Sequence, residues 1–564
     1  MGKDILNIVI GGPAGEGLVT VGALLARALV RSGYAIVVTQ SYHSRIRGGH
    51  NTFAIRTSTK DTIFAPQEPI DLLMPFDEHT IVLHAKDVVR GGVILADEAC
   101  AVASDTVVKI PFKALAADGF FNIAALGIMA SVIGLEKAVA VATLHDLFDA
   151  KHHDVAAENK AVLSRAYEWA QENVSAETIR LNAPEHAYSR LMMHGNEAIA
   201  LGALSAGVKF CSFYPMTPAT SIMLALAAQA NDMGIIVEQA EDEIAAINMA
   251  VGASFAGAPS MVATSGGGFA LMVEGVSLAA MTETPLVIVV AQRPGPATGL
   301  PTRTEQGDLE LVLHAGHGEF PRAIYAPGTP EECFYLTRRA FESAQQFQGP
   351  MFVLTDQFLA DSYRAVLPFD LEKLPSFIPV LPSVDPGADY RRYLLTENGI
   401  SPRLVPGVSR HLVVADSDEH TDDGHLTEDL CVRKQMVEKR LGKGEGMKES
   451  TIPPEFIGDE NPDLLFVSWG STKGAVRETV AALQQHGASC ASLHFSQVWP
   501  LNEDQCLKIL TNAGEVVCVE GNATGQFARL LRRETGFAIK KRIARYDGLP
   551  ITPASIMEQL PGSS

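Results

Sequence analysis

The stretch 6-LNIVIGGPAGEGLVTVGALLARALV-30 joins a short apolar run, a glycine-rich turn and a segment with apolar residues at helical spacing. A strand that turns through glycine into a helix opens a βαβ unit. Apolar runs recur at 35-AIVVT-39, 81-IVLHA-85 and 92-GVILAD-97, each read here as a strand. Strands alternating with helices predict a mostly parallel sheet. The alternation fades near 175–190 and resumes at 195-GNEAIALGALSAG-207, with strand candidates at 235-IIVEQ-239, 261-MVATS-265, 286-LVIVVAQ-292 and 351-MFVLTDQ-357. Several prolines within 366–402 and the acidic 416-DSDEHTDDGHLTED-429 interrupt it, and 464-LLFVSWG-470, 488-ASCASLHF-495 and 515-EVVCVEG-521 restart it. The chain therefore reads as α/β throughout, with three doubly wound, mostly parallel domains at 1–185, 186–370 and 461–564 and an irregular connector at 371–460.

Composition narrows the function. With 564 residues and a net charge of −20, the chain is poorly suited to nucleic acid or an anionic membrane surface, which attract cationic patches. Its seven cysteines are dispersed without a CxxC pair, which argues against a local zinc or iron–sulfur motif and fits reduced thiols in a cytoplasm. MGKDILNIVIGG runs straight into a strand, and no apolar run approaches the roughly 18 residues of a membrane span. A soluble, cytoplasmic enzyme is the expectation.

Three glycine-bearing loops carry the chemistry. In 11-GGPAGEG-17 the spacing of Gly12, Gly15 and Gly17 is neither GxGxxG nor a P-loop, and the next strand ends in Gln40 instead of the acid a nicotinamide ribose needs. The turn serves either tight helix–strand packing or a different phosphate-bearing ligand. The loop 41-SYHSRIRGGHNTF-53 gathers His43, Arg45 and Arg47, either a solvated loop or a partner for carboxylate or phosphate. In 264-TSGGGFALMVEG-275 three glycines permit close approach to the backbone. The 416–424 run lacks the glycine position and terminal acid of a calcium loop, so no metal site is assigned.

The segment 210-FCSFYPMTPATS-221 fixes Thr217 between two prolines at a strand's carboxyl end, where open α/β sheets bind ligands. In 238-EQAEDEIAAINMAVGASFAG-257, Glu241 and Asp242 read as helix-capping acids, whereas Glu243 lies on the face continued by residues 246, 247 and 250. Arg293 and Arg303 sit on the rigid, proline-rich 291-AQRPGPATGLPTRTEQGDLEL-311, suited to a carboxylate or phosphate, or to an ordinary surface role.

Taken in order, YPMTP, the small-sided helix after QAEDE, TSGGGFALMVEG, QRPGPATGLPTRTEQGDL and VEGNATGQ (519–526) resemble the alpha subunit of 2-oxoacid:ferredoxin oxidoreductases. The block bearing GGPAGEG and SYHSRIRGGHNTF is similar to that family's gamma domain, fused ahead of alpha. The resemblance implies a gamma-like domain, a pyrimidine-binding domain and a transketolase C-terminal-like domain. It also implies thiamine diphosphate shared with a beta subunit that carries Mg2+ and a 4Fe–4S cluster, coenzyme A as cosubstrate, ferredoxin as electron carrier, and a dimer of heterodimers. By the same resemblance Glu243 and Thr217 are catalytic, with Tyr214 and Pro215 beside them at the cofactor. Arg303, Arg293, His43, Arg45 and Arg47 are substrate-binding candidates, and Gly12, Gly15 and Gly17 face coenzyme A. The fused arrangement and the added cationic residues favour 2-oxoglutarate; pyruvate, a branched-chain 2-oxoacid or a non-catalytic scaffold are the alternatives.

Overall fold

In the computed structural model, residues 2–42, 49–60, 63–102, 104, 106–116, 120–148, 153–175, 179–185, 189–375 and 389–560 are described. The chain forms two compact units, Met1–Met193 with Asp361–Asp370 and Thr552–Ser555, and His194–Ala360 with Leu371–Ile551 and Ile556–Ser564.

The first unit holds an eight-stranded sheet in the order Val107–Ile110, Val88–Asp97, Ile70–Pro75, Ile5–Pro13, His50–Ser58, Ala35–Ser41, Tyr363–Val366, Leu191–Met193. Its first four strands are parallel. From Ile5–Pro13 onward every ladder is antiparallel; between Ala35–Ser41 and His50–Ser58 the connection is shorter than the dozen or more residues that a parallel crossover requires. Helices Leu18–Arg31 and Phe121–Ile133 bury Leu24, Leu25, Leu29, Ile128 and Met129 in this unit's core. The run 81-IVLHA-85 is not a strand. Asp77 caps the helix Glu78–His84 by accepting from the Thr80 N–H at 2.9 Å, and Val82 faces solvent. An N-cap signal prevails here over a three-residue apolar run.

The second unit holds two sheets. The larger runs Gln497–Trp499, Ala323–Tyr325, Pro350–Asp356, Leu286–Gln292, Ser260–Thr264, Phe210–Phe213, Ile236–Gln239, parallel except at Gln497–Trp499. Every position of Leu286–Gln292 and Pro350–Asp356 is buried, as parallel strands covered on both faces must be. The smaller sheet, Glu455–Gly458, Cys490–Phe495, Leu464–Trp469, Glu515–Glu520, Lys541–Ala544, is parallel except at its first strand. One hydrophobic cluster, including Phe269, Phe352, Trp469 and Phe527, spans both sheets. The 371–460 stretch, read from sequence as irregular, contains a 20-residue helix, Leu430–Glu449.

Candidate active site

Parallel strands point their carboxyl ends one way. The neighbouring strands Leu286–Gln292, Ser260–Thr264, Phe210–Phe213 and Ile236–Gln239 therefore set four loops side by side. After Phe210–Phe213 the chain adds Ile236–Gln239 on one flank and then Ser260–Thr264 on the other. YPMTP and TSGGG thus border the point where strand order reverses, the place open α/β sheets reserve for ligands.

Asp242 caps the helix Glu243–Phe255, accepting from the Ala245 N–H at 2.7 Å. Glu243 takes the first helical position and is 4% exposed. Among the described residues no donor hydrogen-bonds to its carboxylate. The reason it fits lies opposite. A Cβ on Gly268 would stand 2.7 Å from Glu243 Oε1 and 2.2 Å from Thr264 Oγ1, so only glycine leaves the carboxylate its space. Ala246, Ile247 and Ala250 continue the buried face below it.

Thr217 is half-buried, and Tyr214 and Pro215 are exposed at the mouth of the turn. Arg293 Nη1 donates to the Thr217 carbonyl at 2.7 Å, which ties two of the four loops together. Asn196 Nδ2 holds the following residues through Pro218 O and Ser221 Oγ, each at 2.7 Å. Partial burial lowers the Arg293 guanidinium pKa, opposed by the charge of Asp308. The loop then crosses Gly267, whose added Cβ would lie 3.5 Å from Ala297 O. Arg303 follows, with its backbone N–H on Leu300 O at 3.1 Å and Thr304 N–H on Gly548 O at 3.1 Å.

Two features escaped the sequence reading. Asp308 packs against the glycine loop, where a Cβ on Gly266 would meet its Oδ2 at 2.3 Å. Burial and the neighbouring Glu305 push its carboxyl up to about 6 against the pull of Arg293. Its position in TEQGDL, as one more acid ahead of a short helix, gave no signal of this. The second is a clamp from the smaller sheet. Gln306 donates to Trp469 O at 2.9 Å and accepts from the Gly521 N–H at 2.8 Å, while Asn522 Nδ2 donates to Gln306 O at 3.1 Å. Gln526 Nε2 adds a bond to Gly307 O at 2.7 Å. The VEGNATGQ segment, noticed only by resemblance, therefore fastens the loop that bears Arg303.

The remaining candidates belong to the first unit. Gly15 and Gly17, at φ +98° and +80°, line a cavity of about 520 Å³ with Glu16, Phe76, Phe121 and Asn122. Gly12 faces Phe76, whose Cβ lies 2.7 Å from where its own would be. Glu16 stands on the described wall of this cavity, its carboxyl pushed up by burial and by Asp77. His43, Arg45 and Arg47 lie outside the described residues. All seven cysteines are free. Among the described residues there is no cluster suited to a metal ion and no helix long and apolar enough to cross a membrane.

Residues 201–439 match the family described as "Pyruvate flavodoxin/ferredoxin oxidoreductase, thiamine diP-bdg", and residues 7–169 match "Pyruvate ferredoxin/flavodoxin oxidoreductase". Across 98% of its length the chain is 30% identical to the 2-oxoacid:ferredoxin oxidoreductase subunit alpha of a Sulfolobus species, covering 96% of that protein. Across 66% of its length it is 32% identical to the 2-oxoglutarate synthase subunit KorA of Archaeoglobus fulgidus, covering 98% of it. It also superposes on 2-oxoglutarate:ferredoxin oxidoreductase from Magnetococcus marinus, solved with 2-oxoglutarate, coenzyme A and succinyl-CoA bound. There the TM-score is 0.93 at 29% identity, with both chains fully covered. The chain belongs to the 2-oxoacid:ferredoxin oxidoreductase family, as an alpha subunit.

Proposed function

We propose that this subunit, with a gamma-like domain at residues 1–185 fused ahead of alpha, serves an enzyme that converts 2-oxoglutarate, coenzyme A and oxidised ferredoxin to succinyl-CoA, CO2 and reduced ferredoxin. The observation that carries the reading is Glu243, a buried carboxylate with no donor among the described residues, placed at a switch point and bounded by a glycine. Such a group requires a hydrogen-bonding partner or a proton, and the ring nitrogen of an aminopyrimidine supplies the partner. The ligands of the Magnetococcus marinus enzyme and the likeness to KorA support the substrate.

The residues of this chain divide the work. Glu243 would hold the aminopyrimidine of thiamine diphosphate and keep a proton at that ring nitrogen. Thr217, with Tyr214 and Pro215, would line the reacting end, its backbone fixed by Arg293. Arg303, and Arg293 on the same loop, would bind substrate carboxylate, for which a guanidinium fork is suited. When bound, the cofactor supplies the nucleophilic carbon that decarboxylation of a 2-oxoacid requires.

A beta subunit would contribute the diphosphate and Mg2+ site and a 4Fe–4S cluster, in a dimer of heterodimers. Exposed apolar side chains on the site's own segments support a partner: Tyr214, Ile236, Ile244, Met249 and Leu271 are each more than a third exposed. The free, dispersed thiols suit a cytoplasmic enzyme.

The test is coenzyme A-dependent reduction of methyl viologen by the complex purified from its host, with 2-oxoglutarate beside pyruvate. We expect 2-oxoglutarate to be the better substrate and Glu243→Gln to lower kcat by about 100-fold or more. Turnover with pyruvate alone overturns the substrate, and an undiminished Glu243→Gln overturns the role of the carboxylate.

A further inference from the structure

We propose that Asp308 is a positioning residue for this reaction, supplying the charge that keeps Arg293 on the Thr217 carbonyl; this rests on the function proposed above. Three observations place it. The Asp308 N–H donates to Gln292 Oε1 at 3.0 Å, so the acid is anchored to the residue that precedes Arg293. Its Oδ2 lies against Gly266, where a side chain on any other residue would collide with it. That same oxygen is enclosed and has no hydrogen-bond partner, although the residue as a whole is half-buried. One carboxyl group is thus held between the QRPG and TSGGG loops, and its charge acts on the guanidinium that reaches the third loop, YPMTP.

The charged groups that act on Asp308 are Glu305 from its own loop and Arg293 from the strand end, while the Gly266 backbone and the Gln292 amide are neutral. Burial and Glu305 disfavour the charge, and Arg293 favours it. In a partly enclosed site a carboxylate and a guanidinium interact without direct contact, because solvent screens them weakly. Protonating Asp308 leaves Arg293 with its burial uncompensated and loosens its hold on Thr217 O. A displacement of that kind on a turn at the reacting end costs turnover more than binding.

Asp308→Asn keeps the shape and removes the charge. In the complex, we expect kcat/KM at pH 7.5 to fall about tenfold or more, mostly in kcat. Wild-type turnover is expected to decline below about pH 6, where Asp308 takes up its proton, and that decline should be absent from the variant. Arg293→Lys should have a similar effect, and the double variant should be little worse than either single one, since both act on the same contact. An Asp308→Asn enzyme that keeps both the wild-type rate and the acid limb overturns the proposal.

Thermal unfolding without substrate gives a second readout. The Asp308 carboxyl is raised above its unfolded value, so the unfolded state releases its proton first as pH rises, and stability is lost through about pH 6. The midpoint of Asp308→Asn should therefore gain on the wild type between pH 5 and pH 7; a constant margin overturns the proposal. A wild-type complex inactive with every 2-oxoacid would reject the proposed function, while the thermal comparison would still judge the enclosed carboxyl.

Discussion

Glu243 is buried at the head of its helix because the residue facing it, Gly268, has no side chain. A methyl group there would stand 2.7 Å from the carboxylate and 2.2 Å from the Thr264 hydroxyl. Both obstacles are movable atoms, so a Gly268→Ala variant folds by displacing Glu243 or turning Thr264. Alanine suits the helical backbone of Gly266–Phe269 better than glycine by about 0.5–1 kcal/mol. Overpacking of this kind costs about 1–3 kcal/mol. The balance is a modest loss of stability. Activity should suffer more, falling about 10- to 100-fold, because the carboxylate has left its working position. Thermal unfolding and viologen reduction on the same preparation separate the two effects. Full activity in the alanine variant would show that the contact is slack.

At the scale of elements, the loops were readable where their chemistry is local. Two prolines around Thr217, three glycines after a strand and Asp242 before a helix each act through their own backbone, so they leave a mark in sequence. The helix Leu430–Glu449 left none. It buries Met436, Lys439, Arg440, Lys443 and Met447, so its inner face is largely cationic and no apolar periodicity announces it. The counter-charge of Lys439 and Lys443, Glu283, lies 156 and 160 positions away. The Gln306 clamp was hidden for the same reason, since its partners lie more than 160 positions away. It has a measurable consequence. Gln306→Ala leaves the Gly521 N–H without a partner in a buried place, at about 1–3 kcal/mol, while the Trp469 carbonyl keeps the Thr472 hydroxyl at 2.7 Å. The loop bearing Arg303 is then held less firmly and must be ordered as substrate binds. If about 1.4 kcal/mol of that ordering falls on binding, KM for the 2-oxoacid rises about tenfold with little change in kcat. Steady-state kinetics decide this, and an unchanged KM would mean the loop is held by its prolines alone.

At the scale of the whole second unit, 194–360 and the long connector are joined through a buried cluster of charges. Lys439 and Lys443 donate to the two carboxylate oxygens of Glu283, and Arg392 donates to the Glu283 carbonyl at 2.7 Å. The side chains of Lys439, Lys443 and Glu283 are 3% exposed or less, and Arg392 is 2% exposed. Burial alone would push the Glu283 carboxyl up, but Lys443, Lys439 and Arg392 outweigh it and hold it at about 2. Burial likewise lowers both lysines, Lys439 to about 8, against the pull of the same glutamate. Three cations therefore depend on one anion. Removing it leaves buried charges uncompensated, which costs about 3–5 kcal/mol. Glu283→Gln should lower the unfolding midpoint of the second unit accordingly. Adding Lys439→Met to that variant should restore part of the loss, because it removes one of the stranded charges and fills its space with apolar atoms. The carboxyl's contribution is present above its unfolded value near 4.5 and is lost only as pH falls toward about 2, so its own titration adds no slope between pH 6 and pH 7.5. A deficit of Glu283→Gln that shrinks as pH rises over that range reports proton loss from the stranded lysines, whose charge Glu283 supports. Denaturant melts of the wild type and both variants at those two pH values measure each part. A double variant no more stable than Glu283→Gln would show that hydrogen bonds to the backbone, and not the balance of charge, fasten the connector.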